Sequence, residues 1–303
     1  MRTTLFAVAK FVLLVVLYAV LFSVGGQFFA VAPDTPMTES EQGVAFLALI
    51  VVAVVDTALL AALAYKSRLP RAALAVTLAV VFYIVKTFTS MIEALVFMPN
   101  VNGGNIGALF AMTIPLTLVV PPLAAVLFAE RRGDNEPVLT FPPLSLGALL
   151  GRVTLLSVVV YPVLFFVFGY FVAFASDDVR AFYGVVDVKP FFAHMLDTVT
   201  GTPWLLPFEM ARGLLWTLTA LVLFSTTRGG AVLKGVLVAL VFALVQNDVH
   251  LLPNPLMGRE VQLYHFIETA TSNAIFAAVA AFLLARAPAS APRGVPRAND
   301  DAA

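Results

Sequence analysis

Polar residues that could do chemistry recur at helical spacing inside otherwise apolar sequence. At about 100° per residue, Lys86, Thr89, Ser90 and Glu93 form one stripe, and His265, Glu268, Thr269 and Ser272 form another with Asn273 beside it. Glu209 and Arg212 share a helix face, as do Gln246 and His250. Asp56 stands by itself inside a further apolar run. A charge inside a membrane costs about 2.5–3.5 kcal/mol on insertion scales, so it is expected to face a partner or a cavity.

Three chemistries fit these residues. In the first, His265 and Glu268 are half of a site for a divalent metal, since His and Glu at i, i+3 can ligate one ion. Glu93, Glu209, Asp248, His250 or His194 would complete it, and the ion would activate water. In the second, Glu93, Glu268 and Lys86 relay protons or ions, with Asp56 continuing the path inward. Lys86 paired with Asp56 would instead close that path as a structural ion pair. In the third, the cluster is a satisfied hydrogen-bond network for packing or recognition, with Arg212 on Glu209 or Glu268.

The elements that must position these residues follow from composition. Of 303 residues, 61% are hydrophobic and only 12% charged, with mean hydropathy +0.97. Soluble domains carry about 25% charged residues, so lipid is the expected solvent for most of the chain. Eighteen basic residues balance eighteen acidic ones, which argues against a nucleic-acid partner. There is no cysteine, hence no disulfide framework, thiolate metal site or cysteine nucleophile.

A helix needs about 20 apolar residues to cross the hydrocarbon. Eight segments qualify, at roughly 4–25, 43–65, 72–97, 107–129, 153–175, 207–226, 231–250 and 263–285. Without the two-residue alternation of a membrane barrel, the expected fold is an all-α, polytopic bundle of about eight transmembrane helices. The first segment, despite the cleavage-like Ala30-Val31-Ala32, is longer than a signal peptide's apolar core and is expected to stay as a helix.

Basic residues set the sidedness. Arg2, Lys10, Lys66, Arg68, Arg71, Arg131, Arg132, Arg152, Arg228, Lys234, Arg286, Arg293 and Arg297 fall on one side of an eight-helix chain. The positive-inside rule then puts both termini in the cytoplasm, the expected membrane being a prokaryotic plasma membrane. The polar stripes fall toward the opposite, outer face. Pointing them at one another makes a polar cavity walled by the third, sixth, seventh and eighth segments, containing Glu93, Glu209, Arg212, Gln246, His250, His265, Glu268, Ser272 and Asn273.

The chain divides into a four-helix half at 1–130, a cytoplasmic linker at 131–152, a second four-helix half at 153–285 and a tail at 286–303 too poor in apolar residues to fold. Met98-Pro99-Asn100 and Leu252-Pro253-Asn254 echo each other at matching places, a hint of parallel duplication. The outer loop at 176–206 carries Phe191, Phe192 and Trp204, which suit a short interfacial helix and a possible protein contact. His194 in that loop is expected to be exposed. Pro115, Pro121 and Pro122 predict a bent fourth segment. Asn102 to Gly107 is glycine-rich but follows no strand, so it is no dinucleotide fingerprint.

Glu209-x-x-Arg212 followed by later histidines is similar in part to the CAAX-type intramembrane proteases, which carry Glu-Glu-x-x-x-Arg and a His with Asn four positions on. Here one Glu stands alone, the Arg is three positions away, and His265 to Asn273 is eight, so no role is carried over. The leading functional expectation is binding or transport of a small polar solute or ion from the outer face. The alternatives are a metal-assisted intramembrane hydrolase or lipid-modifying enzyme at the outer leaflet, and an accessory subunit of a membrane complex.

Overall fold

A computed structural model describes residues 2–29, 37–98, 105–130, 137–139, 144–254 and 257–284. The motif Ala30-Val31-Ala32, most of the turn from Asn102, Arg131, Arg132 and the 286–303 tail lie outside these residues.

Every regular element among them is helical. The long ones are α1 (Arg2–Phe29), α2 (Glu39–Tyr65), α3 (Arg71–Phe97), α4 (Ile106–Phe128) and α5 (Leu146–Ala175). Two short helices, α6 (Asp177–Phe182) and α7 (Phe191–Gly201), precede α8 (Leu205–Thr226), α9 (Ala231–Val245) and α10 (Arg259–Leu284). Seven are long and apolar enough to cross a membrane. Together they make an all-α, multi-pass, membrane-type bundle.

The seventh apolar segment is shorter than the expected 231–250. α9 stops at Val245 because Asn247 folds back, its Nδ2 donating to Phe242 O at 3.3 Å and Ala243 O at 3.0 Å. A 3-10 turn, Asp248–Leu251, follows. At the other boundary, α5 starts at Leu146, inside the expected linker, where Ser145 Oγ accepts from Ala148 N at 3.2 Å and caps it.

Polarity is inverted relative to a soluble protein. Leu5, Phe6, Val12, Val16 and Val20 of α1 are exposed, while Asp56, Glu209 and Asn247 have no exposed surface. Such a surface suits lipid, and the buried polar groups must find partners inside the bundle.

The proline-bearing helix is broken rather than bent. α4 opens at Met112–Thr113, just before Pro115. Tyr83 OH on α3 donates to Phe110 O at 3.0 Å and satisfies a carbonyl freed by the break. α1 closes on the same point, because Gly25 has no side chain: a Cβ there would lie 1.9 Å from Met112 O.

One end of the bundle is held by cations on helix C-termini. Lys10 of α1 donates to Leu127 O in the last turn of α4 at 3.2 Å, Arg152 of α5 to Leu283 O in the last turn of α10, and Lys234 of α9 to Phe224 O near the end of α8 at 2.7 Å. Each places positive charge against carbonyls near a helix C-terminus and the negative end of the helix dipole. At this basic end the α2–α3 and α8–α9 turns join through an antiparallel bridge, Ser67 to Thr227. Arg68 N donates to Thr226 O at 2.8 Å and Arg228 N to Lys66 O at 2.6 Å. Exchanging residues 66–68 with 226–228 maps one bond onto the other.

Candidate functional site

Glu93, near the end of α3, meets α8 through Arg212. Arg212 Nη2 donates to Glu93 Oε2 at 2.5 Å, and Nη1 donates to both Glu209 oxygens at 2.9 and 3.1 Å. The guanidinium carbon lies within 6.0 Å of the ring centres of Tyr161, Phe165 and Phe208. Arg holds this place because its planar fork engages two carboxylates while its face packs on aromatic rings. α5 and α8 come close enough to build the wall because Gly213 lacks a Cβ, which would otherwise sit 2.6 Å from Ser157 O.

α10 supplies the facing wall. Its His265 is oriented at both ring nitrogens: Nδ1 is 2.9 Å from Glu268 Oε2, and Nε2 is 2.9 Å from the Tyr183 hydroxyl. Tyr183 reaches in from the loop after α6. Burial first, then the carboxylates of Glu93 and Glu268, raise its hydroxyl pKa above the ordinary value, so it stays a neutral donor. The His250 ring stacks at 6.1 Å from that of His265. Asn273 Nδ2 donates to Gln246 Oε1 at 2.6 Å, and Thr269 Oγ1 donates to Asn247 Oδ1.

Two contiguous cavities lie between these walls. The smaller, of about 20 Å³, touches Glu93, Arg212, Gln246, Glu268, Ser272 and Asn273. The larger, of about 80 Å³, is lined by Ser90, Glu93, Tyr183, Gln246, His250 and His265 among others. Glu93, Gln246 and Thr269 border both. One water needs about 10–15 Å³ on this measure, so the first holds about one and the second several. Met98, Tyr183, Asn254 and Met257 place the larger cavity at the end of the bundle opposite the basic turns.

Compared with known proteins, the chain matches no family model, no curated protein and no solved structure. The chemistry of the site therefore rests on its geometry.

Of the residues singled out in the sequence, Glu93, Arg212, Gln246, His250, His265, Glu268, Ser272 and Asn273 border one or other cavity, while Glu209 lies behind Arg212. Lys86 does not join them. A π turn at Ile84–Phe88 inserts into α3 and changes the phase of its stripe, so Ser90 and Glu93 face the cavity while Lys86 faces Asp56 and Asp248. Asp248, two positions from both Gln246 and His250, projects to the opposite side of the segment and faces Lys86.

His265 and Glu268 face each other rather than a common third point, and no cluster of three or more His, Asp or Glu suited to a metal ion forms among the described residues. His194 is not simply exposed: its ring packs on Tyr170 and Phe174 at 5.6 and 5.7 Å. The sequence reading missed Tyr183 and the Thr269–Asn247 bond. Tyr183 sits in a loop without periodicity, so no sequence spacing points to it.

Proposed function

We propose that the protein binds a small cationic or polar solute in the cavity between α3, α8, α9 and α10 and moves it across the membrane. One observation carries this reading: a cavity roomy enough for several waters lies inside an otherwise apolar bundle and is lined by Glu93, Gln246, His250 and His265, with Arg212 and Glu268 on the smaller cavity beside it. Charged and polar side chains gathered inside a membrane bundle are the expected lining of a solute or ion site. Three carboxylates, Glu93, Glu209 and Glu268, stand there against the Arg212 guanidinium and the His265 imidazole, so acids outnumber cations, which favours a positively charged occupant. In the proposed orientation the basic turns lie in the cytoplasm and the cavity opens outward. Methylammonium and sodium are suitable probes, with purified protein titrated calorimetrically and proteoliposomes assayed for uptake. Saturable binding and uptake by wild type, lost in Glu268→Gln, supports the reading; no saturable binding or uptake of either probe overturns it.

We infer further that the chain comprises two parallel four-helix repeats, 1–130 and 153–285, related by an axis along the membrane normal. The exchangeable hydrogen bonds at Ser67 and Thr227 support it. So do the matching cations, Lys10 of the first repeat on the last turn of α4 and Arg152, immediately before the second, on the last turn of α10.

A further inference from the structure

A second charged cluster lies seven residues farther along α3 toward the basic end. Lys86 Nζ donates to Asp56 Oδ2 at 3.1 Å and to Asp248 Oδ1. Tyr18 OH donates to the same Asp56 Oδ2 at 2.6 Å. The side chains of Asp56, Lys86 and Asp248 are 0%, 1% and 4% exposed. The remaining oxygens, Asp56 Oδ1 and Asp248 Oδ2, are buried without a donor.

Among the described residues, the elements packed on this cluster bring no second cation. α1 contributes Tyr18, α2 Asp56, α3 Lys86, and the turn after α9 Asp248. α4, packed on α1, α2 and α3, has no titratable side chain between 106 and 128. Tyr83 of α3 is engaged by Phe110 O, and His250, His265 and Glu268 border the cavities.

With both aspartates ionised, two negative charges would share one ammonium in a site closed to water. An uncompensated buried carboxylate is so costly that such a group neutralises instead, and two carboxylates sharing a site do not both ionise. A carboxylic acid also supplies the O–H donor that the two orphaned oxygens lack.

We propose that Asp56 and Asp248 form a proton-binding site, with one proton held between the two carboxyls opposite the Lys86 ammonium. The proton arrives from solvent, forms a carboxyl O–H on one aspartate and leaves by the reverse step, so the cluster alternates between neutral and singly negative. Asp248 shares its turn with His250 and lies two residues from Gln246, so proton occupancy acts on the wall of the cavity. The site does not depend on the cavity carrying a solute.

The test is infrared spectroscopy of the full chain in detergent at neutral pH. Wild type is expected to show the carbonyl band of a buried protonated carboxyl that moves in D2O. Asp56→Asn and Asp248→Asn should each abolish it, and Glu268→Gln should leave this component in place. Asparagine imitates a protonated aspartate, so Asp248→Asn should melt within about 3 °C of wild type. If the variants do not fold, carbon-13 carboxyl-labelled aspartate in wild type replaces them, and the band must shift. No band, a band unmoved by either substitution or by the label, or melting that depends on sodium with no band, overturns the proposal.

Discussion

Arg212 on α8 donates to Glu93 on α3 at 2.5 Å, across 119 positions of sequence. The same guanidinium holds the fully buried Glu209 one turn away, so one cation bridges two carboxylates from different helices. The pair ties α8 to α3 beside the cavity. Lys86 ties α3 to α2 and to the turn after α9 in the same manner.

Removing Arg212 leaves Glu209 buried and unpaired. Arg212→Ala is expected to cost about 3–5 kcal/mol of stability. Adding Glu209→Gln should restore part of it, because the amide needs no counter-charge. Unfolding of single and double variants in detergent measures both, and an additive double variant would count against the pairing.

Gly25 and Gly26 make an internal control. A Cβ on Gly25 would strike Met112 O, whereas one on Gly26 meets nothing within 4 Å. Gly25→Ala should destabilise the protein by about 1–3 kcal/mol by forcing α1 off the break in α4. Gly26→Ala should be neutral or slightly stabilising, since Ala is the better helix former. Equal melting temperatures for the two variants would show that α1 does not approach α4 in this way.

Tyr183 gives a pH dependence of definite sign. Its hydroxyl pKa is raised in the folded protein by burial, then by Glu93 and Glu268. The folded state therefore holds this proton more tightly than the unfolded state. The stabilisation is complete below the ordinary tyrosine value of about 10 and falls away as pH rises through it toward the folded value. Wild type should lose stability faster than Tyr183→Phe across that alkaline range. Parallel curves would remove Tyr183 from the buried environment assigned to it.

If the two repeats are self-contained, a chain cut within the linker should reassemble. Co-expressed fragments 1–138 and 139–303 are expected to co-purify and to melt within about 5 °C of the intact protein, since the cut loses mainly a modest loop-closure term. Fragments that fail to associate, although each inserts in the membrane, would argue against two units docked through α2, α3, α8 and α9.

Much of this architecture was legible in the sequence because lipid leaves a chain few options. A long apolar run must satisfy its own backbone hydrogen bonds, so it becomes a helix wherever its neighbours lie. The long helices, the clustering of basic residues in alternate turns and the aromatic helix Phe191–Gly201 all follow from local composition. The Asp56–Lys86 pairing was also within reach, since two opposite charges in apolar runs have few other partners.

Tertiary structure alone decided how the polar residues divide. A uniform helix would put Lys86 and Glu93 on one face, but the π turn at Ile84–Phe88 rotates them apart, toward Asp56 and Asp248 in one case and Arg212 in the other. Asp248, two positions from both Gln246 and His250, projects away from them, and the packing of the turn after Val245 on α2 and α3 makes Lys86 its partner. Such changes of phase depend on how neighbouring helices pack and which carbonyls find donors. Local periodicity sets which residues are polar on a helix; the rotation of that helix against its neighbours sets what each of them meets.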